Sequence, residues 1–359
     1  MHRHPSRSVR TAALLTAGTV AVGVLSAGLV TATSEAAHAS RKPTQVKAAF
    51  SAVQVVADAP VVVTGRVRDR GQRRRVVILE QRTRSGWRKV DKAKTAKSGD
   101  FTLTVPTNWF HSSKMRVRTP RARRSPGDVS RAVRMQVVPA YAPIGSPSGW
   151  AHSSSDKIRA NPCQKISYGI NSAGALPDPA SAAAAIHHAV ALVAQATGMR
   201  FEFKGETTAV PFDKQQRKGD PKLVFGWVRD EDTRLDLGPA VAARGGSDKA
   251  RWARDARGRR VGEAVTMGVI YDAGEPYMTA ADMYHLTMHE LGHAVGLGHV
   301  TATDQHMGTG QEGYDLPTSY SAGDLTGLAK VGLQQGCLRP DRGGRRRYQA
   351  SMVSPTPLS

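Results

Sequence analysis

The sequence predicts an α+β fold in two parts, a small all-β sandwich followed by a larger domain with a twisted sheet and helices. Residues 46–139 alternate short β-rich runs with turns and show no helical periodicity. Residues 150–338 contain an alanine-rich run that ends near Thr197 and a proline-free stretch at 279–295, both typical of helices. These features divide the chain into a signal peptide (1–39), a basic β-sandwich module (40–139), a linker (140–149), the larger domain (150–338) and a disordered basic tail (339–359).

The amino-terminal segment has the pattern of an export signal. Arg3, Arg7 and Arg10 precede an apolar stretch that runs from about Ala12 to Val30. The triplet Ala37-His38-Ala39 fits a cleavage site, so we expect the mature protein to begin near Ser40. An uncleaved membrane anchor is the alternative.

The β-sandwich module rests on short runs of strand-forming residues separated by turn signals. The segment Ser85-Gly86-Trp87-Arg88-Lys89-Val90, followed by Gly99-Asp100-Phe101, resembles Ig-like modules of exported bacterial proteins. This resemblance concerns the fold and predicts no particular ligand. The predicted strands lie at 53–56, 60–67, 75–81, 99–105 and 115–118.

The positive charge is concentrated in this module. The chain has a formal net charge of +22, and residues 41–149 contain 24 basic and 6 acidic residues. Such an excess predicts either a solvated surface or a face that binds an anionic wall or surface polymer, an acidic polysaccharide or lipid headgroups. No motif supports specific binding of nucleic acid.

One motif carries most of the functional information. Residues 289–299 fill every fixed position of H-E-x-x-H-x-x-G-x-x-H, with His289, Glu290, His293, Gly296 and His299. Histidines four residues apart on a helix share a face, and the glycine lets the chain turn back so that a third histidine can approach. Three imidazoles leave one position of a tetrahedral zinc open, which is the arrangement of a catalytic site.

The motif assigns roles to its residues. We expect His289, His293 and His299 to bind one zinc ion and Glu290 to act as general base toward a water molecule. A ligand row made of His285, His289 and His293 is conceivable, but it leaves Gly296 and His299 without a role. We therefore expect His285 to lie beside the site, and the isolated histidines His187, His188 and His306 to have structural roles.

At these residues the chain resembles the metzincin clan of zinc endopeptidases, and matrixin-like catalytic domains in particular. The resemblance implies that Met307 forms the turn beneath the metal without ligating it. It also assigns Tyr320–Leu328 to a carboxy-terminal helix, and Lys165–Asn171, the alanine-rich run and Phe201–Phe203 to a strand, a helix and a second strand. The family's cleft predicts a substrate-binding edge strand, for which Val261–Ile270 is the candidate; an inner strand is the alternative.

The chain departs from the family in ways that limit the resemblance. No histidine occurs between His188 and His285, so we expect one zinc ion and no second, structural one. Calcium is possible but unsupported, because the acidic run Asp230–Asp232 with Asp236 fits no calcium-loop spacing and is better explained as a solvated turn.

The two cysteines predict a disulfide. Cys163 and Cys337 bracket the larger domain, and export places them in an oxidising compartment. The alternative is that one cysteine caps the zinc in a latent form, although neither lies in a recognisable pro-segment motif.

Together these features predict a secreted, monomeric zinc metalloendopeptidase that cleaves protein or peptide substrates. The alternative is a polyanion-binding or cell-wall-binding protein whose zinc domain is inactive or cleaves a non-peptide amide. Substrate specificity, latency and processing at 121–149 have no readable signature in the sequence.

Overall fold

The computed structural model describes the chain from residue 44 onward, with internal gaps. The described residues are 44–69, 74–122, 125–175, 179–213, 219–233, 235, 241–274, 280–309 and 318–341, with two short strands at 347–349 and 356–357. The predicted signal peptide at 1–39 lies outside them. No helix among the described residues is both long enough and apolar enough to cross a membrane.

The amino-terminal part consists of two sheets that enclose one core. Strands β1, β3 and β6 form the smaller sheet, and the larger one has the order β2-β9-β7-β4-β5 with β8 beside β7. Apolar side chains that alternate along the strands fill the space between the sheets, Val63, Leu79 and Met115 among them. The strands are β1 (Gln45–Phe50), β2 (Gln54–Val56), β3 (Val62–Arg68), β4 (Val76–Thr83), β5 (Gly86–Lys94), β6 (Asp100–Thr104), β7 (His111–Thr119), β8 (Asp128–Val129) and β9 (Val133–Val138).

In its described residues, the carboxy-terminal part has an eight-stranded sheet and three α-helices. Its elements are β10 (Ala151–His152), β11 (Lys165–Asn171), α1 (Pro179–Thr197), β12 (Arg200–Glu206), β13 (Leu223–Val228), β14 (Val241–Arg254), β15 (Arg260–Asp272), α2 (Ala280–Val295), β16 (Leu297–Gly298), α3 (Ala322–Val331), β17 (Arg339–Pro340), β18 (Arg347–Gln349) and β19 (Thr356–Pro357). The main sheet has the order β12-β11-β13-β15-β14, and β17, β18 and β19 each pair with β14. The strands β10 and β16 form a separate pair.

The predicted fold class is wrong. Strand makes up 43% of the structure and helix 18%, so the chain is predominantly β and does not have the α+β, metzincin-like fold that the sequence predicted. Much of the difference lies in β14 and β15, which pair with each other over almost their full lengths. Arginine, glycine and aspartate interrupt the apolar pattern of β14, so no strong strand signal is present there.

The strand Val261–Ile270 is an inner strand. It belongs to β15, which pairs with β13 on one side and β14 on the other. Its candidacy as a substrate-binding edge strand is therefore wrong. The far side of β14 pairs in part with β17, β18 and β19, all of which lie in the segment predicted as a tail.

The helix α2 packs directly against β14. A Cβ atom placed on Gly245 would lie 2.2 Å from the backbone oxygen of Glu290, so no side chain fits between the strand and the helix. On its other side α2 packs against α1, whose buried residues Ile186, Ala189 and Val193 recur at helical spacing. These contacts fix the position of the motif relative to the sheet.

The predicted disulfide is present. Cys163 and Cys337 are bonded, 174 residues apart in sequence. Asn161 reinforces the same junction, because its amide donates to the oxygen of Leu338 at 3.0 Å and accepts from the nitrogen of Leu338 at 3.2 Å. A disulfide of this kind indicates an oxidising, extracellular environment.

Residues Lys42–Ser359 form one compact unit, and the two β-rich parts share hydrogen bonds. The nitrogen of Arg84 donates to the oxygen of Gln334 at 3.0 Å, and the Gln334 amide donates to the oxygen of Ser112 at 2.7 Å. The division at 140–149 into separate domains stays a prediction.

Candidate metal site

Two of the motif histidines lie on one buried face of α2. His289 is 6% exposed and His293 is 2% exposed, and their four-residue spacing places the rings one turn apart. The two Nε2 atoms are 3.0 Å from each other. The helix alone therefore brings two ligand atoms to the same point.

A sharp turn after α2 supplies the third histidine. Gly296 has φ +127°, a conformation that side chains disfavour, and a Cβ atom there would lie 2.7 Å from the oxygen of Ile158. The chain then passes through β16, which pairs with β10, and brings His299 back to the helix. The Nε2 atom of His299 is 3.0 Å from that of His289 and 3.1 Å from that of His293.

In His289 and His293, the second ring nitrogen, Nδ1, is hydrogen-bonded to a backbone carbonyl. The Nδ1 atom of His293 lies 2.9 Å from the oxygen of Leu297, and Nδ1 of His289 contacts the oxygen of His306. A carbonyl accepts only, so Nδ1 carries the proton in both rings and Nε2 carries a lone pair. Lone pairs that converge at 3.0 Å repel each other, and a cation between them would remove that repulsion.

The three nitrogens fit a metal ion. A tetrahedral zinc with Zn–N bonds of about 2.0–2.1 Å would separate its ligands by about 3.3 Å, close to the spacing of these atoms. Among the described His, Cys, Asp and Glu residues, His289, His293 and His299 form the cluster whose donor atoms lie close enough to share one ion. The cluster can therefore bind a metal ion.

Burial keeps these imidazoles neutral, as metal ligands must be. Burial lowers the pKa of His289 to about 3, and the neighbouring His299 contributes to the shift. The pKa of His293 is lowered well below its ordinary value, first by burial and then by His289 and His299. Burial also lowers the pKa of His299.

Glu290 lies next to the histidine cluster in sequence and is 1% exposed. Burial raises the pKa of Tyr271, and the charge of the Glu290 carboxylate raises it further. The Tyr271 hydroxyl is itself 2.6 Å from the Thr287 hydroxyl. Glu290 thus occupies a buried, partly polar position on the helix that carries His289 and His293.

Met307 lies against the motif helix without joining the cluster. It is 1% exposed, and a Cβ atom on Gly292 would lie 2.5 Å from its sulfur. Gly292, which stands at a variable position of the motif, therefore leaves room for the Met307 side chain against the helix. Its assignment to a Met-turn stays a prediction.

The backbone around Met307 is held by Asp324, which lies in the first turn of α3. The Asp324 carboxylate accepts hydrogen bonds from the nitrogens of His306 at 2.8 Å, Met307 at 3.2 Å and Ser321 at 3.1 Å. The first of these bonds fixes the peptide segment whose carbonyl contacts Nδ1 of His289. The beginning of α3 thereby orients a histidine of the cluster.

His306 and His285 lie outside the cluster formed by His289, His293 and His299. His306 contributes its backbone oxygen to His289, and its ring stacks on that of His285 with centroids 5.8 Å apart. His285 is not part of the described cluster, so the structure does not bring together the ligand row of His285, His289 and His293. The sequence offers no signal for the role of His306, because any residue can supply a carbonyl.

The acidic run considered for calcium forms a short 3₁₀ turn, Asp230–Asp232. Its described hydrogen bonds run from the nitrogen of Asp232 to the oxygen of Arg229 at 3.0 Å and from the nitrogen of Arg229 to the carboxylate of Asp232 at 3.4 Å. Asp236 lies outside the described residues. Nothing in this turn adds support for calcium.

Comparisons with known proteins add little to this geometry. No family model matches the chain, and no curated protein matches it. One chain similar to part of it comes from a solved structure described as "Structural basis of T cell specificity and activation by the bacterial superantigen toxic shock syndrome toxin-1". The match has 10% sequence identity and a TM-score of 0.21, and it covers 26% of this chain and 100% of that chain. A TM-score this low supports no conclusion about fold or function.

Proposed function

We propose that this chain is a secreted zinc-dependent endopeptidase. The observation that carries the proposal is the convergence of three neutral imidazole nitrogens within 3.1 Å of one another, with Glu290 adjacent on the same helix. The sequence motif 289–299, which resembles that of metzincins, supports the same conclusion. The proposal depends on the site and not on the overall fold.

The residues would divide the work of hydrolysis. When bound, zinc would polarise the peptide carbonyl and lower the pKa of the attacking water. Glu290 would accept the proton from that water and pass it to the leaving amine. The carbonyls of His306 and Leu297 would keep His289 and His293 in the tautomer that presents Nε2 to the metal.

Replacing the base tests this assignment. We expect Glu290→Gln to retain zinc and lose at least about 1,000-fold in the rate of casein or quenched-peptide hydrolysis, because the amide cannot accept the proton. The matched control is Glu231→Gln, which removes a carboxylate from an exposed turn and should leave the rate unchanged. Hydrolysis by Glu290→Gln at the normal rate would remove Glu290 from the mechanism. Zinc binding without peptide hydrolysis in the parent protein would favour a non-peptide amide as substrate.

A second candidate function, binding of an anionic wall polymer, is favoured by the outer face of the larger amino-terminal sheet. Cross-strand partners share a face, and here they bring many cations together. Among the described cross-strand partners of these cations, Glu80 is a carboxylate. It accepts hydrogen bonds from Arg116 at 2.9 Å and from Arg118 at 2.6 Å, so it offsets two of the positive charges. This outer basic face consists of Arg82, Lys89, Lys92, Lys94, Lys114, Arg116, Arg118 and Arg134.

The outer basic face suits a flexible polyanion better than a stacked base. Its Trp87 ring lies under the guanidinium of Arg116 at 4.0 Å and near that of Arg82 at 5.6 Å. Both cations use the ring as a packing surface, which leaves it less available for stacking against a nucleobase. An anionic polymer would be recognised mainly through charge.

Salt dependence tests this second function. We expect the full chain to bind poly(glycerol phosphate) with an affinity that falls at least about tenfold between 50 and 200 mM salt. The variant Lys89→Gln/Lys92→Gln/Lys94→Gln should bind more weakly, whereas Glu290→Gln should bind as the parent does. Binding that does not change with salt concentration, or no binding at all, would contradict this function and indicate that the outer basic face is only a solvated surface.

A further inference from the structure

A small, strongly positive cavity lies at the junction of the two β-rich parts, separate from the histidine cluster. Its volume is about 190 Å³. Four segments line it: the end of β4, the chain after β10, the turn between β14 and β15, and the end of α3 with the residues that follow. The cavity therefore exists only when these segments are packed together.

Cations dominate the lining. Its basic side chains are Arg84, Lys157, Arg159, Arg257, Arg259 and Lys330. His152 also lines the cavity, and Asp255 supplies the one carboxylate among the lining residues.

Both oxygens of the Asp255 carboxylate accept hydrogen bonds within the turn between β14 and β15. Asp255 accepts from the guanidinium of Arg259 at 2.7 and 2.9 Å. It also accepts from the nitrogens of Arg257 at 2.8 Å and Arg259 at 3.0 Å. Among the described ion pairs, Asp255 serves Arg259 alone. Arg84, Lys157 and Lys330 make no ion pair with any described carboxylate.

Arg159 gives the cavity a fixed positive wall. It is 5% exposed, and its guanidinium donates to the oxygens of Val331 at 2.9 Å and Gly336 at 3.2 Å. Carbonyls satisfy its hydrogen bonds, and it forms no described ion pair. Burial lowers the pKa of Arg159 to about 10, and Asp255 and Glu263 oppose this shift only from a longer range. A buried cation without direct neutralisation is costly unless an anion can approach it.

His152 adds a hydrogen-bonding group that the protein leaves unused. Its Nδ1 atom is buried and has no hydrogen-bond partner in the described structure. Burial lowers the pKa of His152, and Lys157, Arg159, Arg259 and Lys330 lower it further, so the field of these cations reaches the ring. A neutral imidazole can still donate one hydrogen bond to an anion.

We propose that this cavity binds a small oxyanion of the phosphate or sulfate type, either free or as the terminal group of a larger molecule. A doubly charged tetrahedral oxyanion matches several converging cations, and guanidinium groups bind its oxygens in pairs. The volume of about 190 Å³ exceeds that of one such ion, so there is room for an attached group or for water. Because Arg84 comes from the amino-terminal sheet and Lys330 from α3, the bound anion would hold the two parts together. This proposal is independent of zinc chemistry.

Calorimetric titration of the full chain with inorganic phosphate, sulfate and glycerol phosphate tests the proposal. Phosphate also binds metals, so each titration is made after metal removal and dialysis, against sodium chloride at matched ionic strength. We expect one saturable site and a rise in melting temperature that chloride does not reproduce. Tighter binding of glycerol phosphate would identify a terminal group as the ligand, and equal binding would identify the free ion.

Paired charge removals locate the site. The variant Lys157→Gln/Arg257→Gln should raise the Kd for phosphate at least tenfold. The control Lys47→Gln/Lys97→Gln removes the same charge from exposed positions outside both the cavity and the outer basic face, and it should leave the Kd unchanged. Both altered cavity residues are exposed, so folding should be preserved. Equal weakening in the two variants would show a general charge effect and overturn the proposal, as would the absence of saturable binding in the parent.

Discussion

The Nε2 atoms of His289, His293 and His299 define the site at the scale of single residues. Helical spacing predicted the first two, and Gly296 predicted the return of the third, because local geometry fixes all three positions. The contact of His289 with the carbonyl of His306 was not predictable, since a backbone oxygen has no sequence signature. The same holds for Asp324, whose bonds to His306 and Met307 depend on how α3 packs.

The ligand assignment predicts a sharp difference between two histidines. We expect His299→Ala to weaken zinc binding by more than about 100-fold, because one of three donor atoms is lost. His285→Ala is the control, since His285 is outside the cluster, and its zinc affinity should stay close to that of the parent. Competition with a chromogenic chelator measures both. Equal zinc affinity in parent and His299→Ala, with a loss in His285→Ala, would reverse the assignment.

A second residue-scale prediction concerns pH. Burial lowers the pKa of His111 in the amino-terminal sheet to about 4. Between pH 6.5 and about pH 4, His111 is protonated in the unfolded chain but neutral in the folded chain. The free energy of unfolding should therefore be highest above pH 6.5 and fall as the pH drops toward 4, by up to about 3 kcal/mol from this group.

The variant His111→Gln isolates this contribution. Glutamine does not titrate and can still bond to Ser113, which is 2.9 Å from the ring of His111 in the parent. Urea unfolding at pH 7.0, 5.5 and 4.5 should show a smaller loss of stability in His111→Gln than in the parent. Parallel curves would mean that His111 is protonated equally in the folded and unfolded states.

The contact between β14 and α2 decides the architecture at the scale of elements. We expect Gly245→Ala to lower the free energy of unfolding by about 1–3 kcal/mol, because its Cβ would overlap the backbone of Glu290. The control is Gly274→Ala, whose added Cβ would meet mainly the flexible side chain of Asp272. Chemical denaturation of the two variants measures the difference. If both variants unfold like the parent, the strand and the helix are farther apart than described.

Element-scale features also show where sequence reasoning failed. The resemblance to matrixins predicted β11, α1 and part of β12, and the alanine-rich composition of α1 is itself typical of a helix. The sequence could not decide whether Val261–Ile270 in β15 is an edge strand or an inner strand, because strand order depends on partners far away in sequence. The predicted fold class was wrong for a related reason. The long β14–β15 pair and the amino-terminal strands contain more residues than the described helices, and the motif on α2 carries no information about these strands.

The Cys163–Cys337 disulfide acts at the scale of the whole molecule. It closes a loop of 174 residues, which in the chain-entropy treatment stabilises the folded state by about 4–5 kcal/mol. The variant Cys163→Ser/Cys337→Ser should lose stability of this order. Because the chain has 2 cysteines, a reductant should lower the melting temperature of the parent and leave that of the double variant unchanged. A parent that melts at the same temperature with and without reductant would contradict this.

Stoichiometric reactivation tests the central claim most directly. The purified chain, from residue 40 onward, is stripped of metal, and zinc is then added in steps while quenched-peptide hydrolysis and bound zinc are measured at each step. We predict that hydrolysis rises in proportion to bound zinc, reaches its plateau at about one equivalent, and is absent at every step in Glu290→Gln. Hydrolysis that does not depend on zinc, or that persists in Glu290→Gln, would contradict the proposal that this histidine cluster is the active site of a zinc endopeptidase.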